Sequence, residues 1–234
     1  MKTSRFPISL SDRDRLILEH VARHRLTWYP VLQQVFFAGQ GTTAVHKVVS
    51  RLCRAGLLRT VKLLRRHHGF VLTPESARQF GTTIRSSELP GTQSLAIAFA
   101  VLHYVMSAHP SRVRLTRREL NASYPWMSHS WLGAPHSLDG QTCLELIRVD
   151  LGGSHDHVAR KCEDDIQRRL NCEPLTQLMR QGHFRLVVLT TAKTKADLIR
   201  SALDKRSWPD GLSIRLVAIP PLSLLLTKGA HHAS

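Results

Sequence analysis

Apolar residues in the first third of the chain recur at intervals of three and four, the period of a helix buried along one side. Leu16, Ile17, His20, Val21 and His24 form one such face about four turns long. Ser9 and Ser11 each precede an acid by three residues (Asp12, Asp14), an approximate capping box that starts the helix here. A second short helix is expected within residues 27–38, where Pro30 is tolerated in the first turn because that N–H has no intrahelical partner. Gly39-Gln40-Gly41 then breaks the chain, and Thr42 or Thr43 can cap a third helix. Val45, Val48, Val49 and Leu52 repeat at i, i+3, i+4, i+7 up to a stop at Gly56 and define its buried stripe.

The opposite side of that third helix carries Thr43, Lys47, Ser50 and Arg54, flanked by His46 and Arg51. Residues 59–64 read as a strand, 65–69 as a basic tip, 70–73 as the returning strand, and Pro74 opens another helix. Three helices followed by a basic hairpin are the parts of a winged helix-turn-helix, in which the third helix enters the major groove and the wing tracks phosphates. The candidate DNA-binding residues are Thr42, Thr43, His46, Lys47, Ser50, Arg51, Arg54, Lys62, Arg65, Arg66, His67 and His68. The plainer reading of the same residues is a solvated basic face beside a surface loop.

Beyond a linker expected at 86–92, which carries Ser86, Ser87, Pro90 and Gly91, residues 94–108 read as an almost wholly apolar helix. Strands are expected at 112–115, 142–149, 184–190 and 213–219, and helices at 154–170 and 193–205, with an aromatic, Pro-rich loop at 124–135. Strands alternating with helices imply an α/β layer with a mixed sheet. The expected organisation is therefore α+β: a winged-helix domain over 1–85, the linker, an α/β domain over 93–226 and a tail over 227–234.

Charge sharpens this division. The chain of 234 residues has 33 Lys plus Arg against 17 Asp plus Glu, a formal +16. Residues 1–85 hold 15 and 4 of these (+11), and 86–234 hold 18 and 13 (+5), so the first third is the candidate reader of a polyanion. The longest apolar runs are too short or too broken by Pro220 and Pro221 to span a bilayer, and the start does not read as a signal peptide. Cys53, Cys143, Cys162 and Cys172 lack metal-type spacing, which points to reduced thiols in a cytoplasmic protein.

The opening LSDRDRLILEHVARHR, the run HKVVSRLCRAGLLR, the segment FVLTPESARQFG and the downstream LDGQTCLELIRVDLGG resemble the replication-relaxation proteins of bacterial plasmids and integrative elements. The resemblance covers most of the chain. It implies a winged helix joined to a restriction-endonuclease-like domain, in which two acids and a Lys would hold a divalent metal. Asp139 and Asp150 match the acids and Lys161 the basic residue, while Arg148 stands where the family has Glu. An Arg among the ligands would repel the ion, so no catalytic or metal-binding residue and no cofactor is expected. Glu145, on the opposite face of its strand from Asp150, does not complete that set.

His155, His157 and Cys162 do not make a zinc site, because i and i+2 on a helix point apart and Cys162 falls on the apolar stripe. His231 and His232 read as tail, and Gly152-Gly153 as a turn. The leading expectation is a sequence-specific duplex-DNA-binding protein of a mobile element, acting in transcription control or as a replication or transfer accessory. It would be homodimeric, with no membrane association, and its α/β domain could hold another protein of the element. The rival expectation is a metal-dependent DNA endonuclease or nicking accessory.

Overall fold

The computed structural model describes residues 8–64, 67–80, 91–107, 112–140 and 142–229. They belong to two compact units, Met1–Leu102 and His103–Ser234. The expected linker at 86–92 falls mostly outside the described residues, and the division between units lies within a helix, between Leu102 and His103.

The first unit opens with α1 (Asp12–His24), β1 (Thr27–Trp28), α2 (Tyr29–Phe36) and α3 (Thr42–Arg54). The chain continues through β2 (Leu58–Leu64), β3 (His67–Leu72), α4 (Pro74–Gln79) and α5 (Thr92–Ser107), which crosses into the second unit. Ser11 is the N-cap of α1, and with Asp14 it forms a full capping box. The second helix lies within the expected residues 27–38, and Thr27 and Trp28 ahead of it pair with Phe70 and Gly69, so the sheet runs β1-β3-β2, all antiparallel. β-Branched Thr27 and aromatic Trp28 suit this extended conformation. Helix periodicity carries no sign of two residues taken up by a distant strand.

Ile17, Leu18, Val21, Leu32, Phe37, Val45, Val49, Leu52, Leu57 and Phe70 fill the core of this unit. Leu16, expected on the inner face of α1, is 52 % exposed, and Leu18 takes its place inside. Gly56, at φ +70°, ends α3 in the left-handed region that favours glycine.

The second unit contains β4 (Arg112–Leu115), α6 (Arg117–Ser123), β5 (His136–Asp139), β6 (Cys143–Val149) and α7 (His155–Gln167). It is completed by α8 (Glu173–Arg180), β7 (Phe184–Thr190), α9 (Lys193–Leu203), β8 (Ser213–Ala218) and α10 (Pro221–Gly229). The sheet order is β4-β5-β6-β7-β8, antiparallel across β4, β5 and β6 and parallel across β6, β7 and β8. The fold is thus mixed α+β with two sheets, one of them mixed. Leu144, Leu146, Leu186 and Val188 on one face of the sheet share a core with Val158, Cys162 and Ile166 of α7, Leu175 and Met179 of α8, and Ile199 of α9. Cys162 is fully buried there, and burial pushes its thiol up to about 11.

Among the described residues, α6, α8, β5 and α10 have no counterpart among the expected elements, and neither does a single 3-10 turn at Trp131–Gly133. α6 starts on a capping box, Thr116 with Glu119, just ahead of the stretch whose aromatic and proline content suggests only loop. The helix expected at 154–170 stops at Gln167, and residues 221–229 form α10, overlapping the expected tail from 227 onward.

Candidate nucleic-acid interface

α3 buries Val45, Val49 and Leu52 and leaves Thr42, Thr43, His46, Lys47, Ser50 and Arg54 exposed. The helix follows Gly41, which supplies no side-chain cap, so the hydroxyls of Thr42 and Thr43 stand on an uncapped first turn. His46 lies over the ring of Tyr29, centroids 4.1 Å apart, and Tyr29 meets Phe70 edge-on at 4.9 Å. An exposed imidazole is thereby given a fixed aromatic floor that rests on β3.

The turn into α3 is clamped by Gln33, whose amide Nε2 donates to the carbonyls of Phe37 (2.8 Å) and Gln40 (2.6 Å). Arg13 reaches the same turn from α1, donating to Gln40 Oε1 at 3.2 Å with its guanidinium 4.9 Å from the centre of the Phe37 ring. Gln33, Arg13 and Tyr29 are not among the sequence candidates. Residues so far apart in the chain carry no shared periodicity that would link them to α3.

Arg51 differs from its neighbours on α3. Its Nη2 donates to Asp14 Oδ1 at 2.5 Å, and Asp14 is buried while Arg51 is half-exposed. Burial alone would raise the Asp14 carboxyl, but hydrogen bonds from Arg51 and Ser11 outweigh it and hold the group below the ordinary carboxylate range. Arg51 is therefore committed to α1 by one arm, unlike Lys47 and Arg54.

On the hairpin, Lys62 of β2 lies opposite His68 of β3, and both are exposed. The register shifts between Lys62 and Leu64, a bulge-type irregularity close to the tip. Arg65, Arg66 and the side chain of His67 lie outside the described residues.

Asp139, Glu145 and Asp150 of the second unit fall into two separate arrangements. Asp139 Oδ2 accepts from Arg185 (2.9 Å), Arg112 (3.1 Å) and Arg215 (3.2 Å). Glu145, with no exposed surface, accepts from Tyr104 Oη (2.9 Å), Ser137 Oγ (2.7 Å) and Arg185 Nη1 (3.1 Å), the nitrogen that also serves Asp139. The three guanidinium groups outweigh the effect of burial and lower the Asp139 carboxyl, while burial and Glu145 push the Tyr104 hydroxyl up. Asp150 stands elsewhere: buried at the end of β6, it accepts from Thr190 Oγ1 (2.7 Å), Lys195 Nζ (2.7 Å) and Gly152 N (2.9 Å).

Asp139, Asp150 and Lys161, the set implied by the family resemblance, do not converge. Asp139 meets Glu145 instead, Asp150 takes Lys195 as its cation, and Lys161 is exposed on α7. Arg148 pairs with Asp165 of α7. A divalent ion needs hard oxygen ligands, whereas Asp139 Oδ2 and both oxygens of Glu145 already accept from donors, and Arg112, Arg185 and Arg215 put three cations beside them. This donor set does not fit a metal. Among the described residues, no group of three or more His, Cys, Asp or Glu side chains is placed to hold one.

Comparison with protein-family models, curated proteins and solved structures finds no match to the chain. Among the described residues no helix is long and apolar enough to cross a membrane.

Proposed function

We propose that the first unit is a winged helix-turn-helix that binds double-stranded DNA, with α3 in the major groove and the β2–β3 hairpin against the adjacent phosphates. One observation carries the reading: no Asp or Glu occurs between Glu19 and Glu75, and within that acid-free stretch α3 and the hairpin expose Lys47, Arg54 and Lys62. A face that is cationic without interspersed carboxylates attracts a polyanion and gives salt-dependent affinity. His46, Ser50 and Thr43 on the same helix supply hydrogen-bonding groups that can discriminate base edges.

The mixed sheet of the second unit supports a restriction-endonuclease-like reading in which Asp139 and Glu145 are neutralised by arginine and Asp150 by Lys195. On this reading it assembles the protein or holds a partner, and the rival nuclease reading is opposed by Arg112, Arg185 and Arg215 around Asp139. The resemblance to replication-relaxation proteins supports a mobile-element setting, with control of transcription the simplest role for DNA binding without visible catalysis.

The deciding experiment is duplex retention by the full chain across a salt series, with Lys47→Glu and Arg54→Glu combined. Loss of retention at all salts supports the reading. Wild-type retention by the double variant overturns it. Mapping the bound DNA in cells then separates a regulator, with defined sites, from a scaffold with diffuse occupancy.

A further inference from the structure

The five-stranded sheet ends in two edges that are finished differently. β4 at one edge is four residues long, and two of them, Arg112 and Arg114, are buried. Arg112 is held by ion pairs to Asp139 and Glu145, both at 3.1 Å. A short, charge-bearing strand is a usual defence against pairing with another chain. β8 at the opposite edge is six residues long, reads Ser-Ile-Arg-Leu-Val-Ala, and has Arg215 as its single charge.

β7, its neighbour, is buried at every position but Arg185, whereas no position of β8 is buried. Ile214 and Leu216 nevertheless pack against the core on one face of the sheet. Their residual exposure, shared by Val217 and Ala218, follows the edge of the sheet rather than one face. Among the described residues, no strand pairs with the outer side of β8.

We propose that β8 is the seam of a homodimer, in which two copies pair β8 with β8 antiparallel about a two-fold axis normal to the sheet. Opposed residues must share parity for each face to continue into its counterpart, because a one-residue slip sends the apolar positions to the wrong side. Centring the pair on Leu216 satisfies this: Leu216 faces its own copy, Ile214 faces Ala218, and Arg215 faces Val217. The two Arg215 side chains come to the seam already neutralised, each within 3.2 Å of Asp139 and 3.6 Å of Glu145 in its own sheet. The strand can thus meet its own copy with apolar positions facing apolar positions and no uncompensated charge at the seam, as an isologous interface requires. Five paired residues per strand, 214 to 218, bury less than the ~1,600 Å² of a standard interface, so weak, reversible association in the micromolar range is expected.

The test is sedimentation equilibrium of the full chain from low to several hundred micromolar, free of DNA. The expected result is a reversible rise from 26.4 kDa to twice that mass. Val217→Lys should weaken the association roughly tenfold or more, with an unchanged circular dichroism spectrum, while Val113→Lys on β4 leaves it intact. Hydrogen exchange on the wild type gives a readout that needs no variant: the β8 amides should gain protection as concentration rises. A monomer throughout the range, a dimer indifferent to Val217→Lys, or concentration-independent protection of β8 would overturn the proposal. None of these results bears on duplex binding by the first unit.

Discussion

Asp14 joins two helices through its two carboxylate oxygens: Oδ2 accepts from the backbone N–H and hydroxyl of Ser11 at 2.8 Å, and Oδ1 accepts from Arg51 at 2.5 Å. The residue that closes the cap of α1 therefore also fixes α3, the helix bearing most of the candidate DNA contacts. Asp14 is 1 % exposed and Arg51 40 %, so the pair runs from the interior to the surface.

Asp14→Ala should cost about 2–3 kcal/mol in urea unfolding, combining a lost cap of about 1 kcal/mol with the lost ion pair. Arg51→Ala should cost about 1–2 kcal/mol, reduced by the solvent screening of a half-exposed guanidinium. Lys47→Ala, exposed on the same helix, should stay within about 0.5 kcal/mol. Arg51→Ala as harmless as Lys47→Ala would show that the pair does not brace α3.

The same contact changes the division of labour among the cations of α3. Lys47→Ala and Arg54→Ala should re-rank duplex sequences in a competition assay. Arg51→Ala should weaken all of them alike, because it acts on the placement of the helix. Lys62→Ala on the hairpin should reduce the slope of log affinity against log salt by about 1, the signature of one lost phosphate contact.

In the second unit Glu145 has no exposed surface and takes donors from α5, β5 and β7. Glu145→Ala leaves buried arginine charge uncompensated and should cost about 3–5 kcal/mol. Adding Mg²⁺ or Mn²⁺ to the wild type should not raise its unfolding temperature. A rise abolished by Asp139→Ala would return the metal-dependent reading to favour.

Burial lowers His20 and His136 to about 4, and in both cases a nearby arginine, Arg23 or Arg169, acts in the same direction. Each histidine is neutral in the folded chain and has an ordinary value near 6.5 when unfolded. The unfolded state therefore takes up the proton first as pH falls. Stability is fully present above about 6.5 and is lost progressively down to about 4, on the order of 3 kcal/mol per histidine. Unfolding free energies at pH 7 and pH 5 measure this, and replacing either histidine by Phe should flatten its share of the slope.

Gly211 sits at φ +78°, and a Cβ there would stand 2.2 Å from the carbonyl oxygen of Met179. Gly211→Ala should therefore cost about 2 kcal/mol or more, since both conformation and space oppose it. Gly39→Ala has a similar φ of +76° but open space, and should be milder in a thermal melt.

Elements with local signals were legible in the order of amino acids. The Ser11 cap, the i, i+3, i+4, i+7 run from Val45 to Leu52, the Gly56 stop and the apolar strand 184–190 all depend on residues within a few positions of one another, and each stands in the structure where the pattern puts it. The exposed row on α3 follows from the same periodicity. The partners of these elements came only from the folded chain: Thr27 and Trp28 form a strand ahead of α2 because β3 offers them backbone hydrogen bonds, and Arg51 turns to Asp14 because α1 and α3 meet there. Asp139 and Glu145 became an arginine-filled pair because strand register brought Arg185 and Arg215 to them from 40 to 76 residues away. Hydrophobic period and capping act over single turns of chain, whereas ion pairing and sheet edges depend on which segments meet in space.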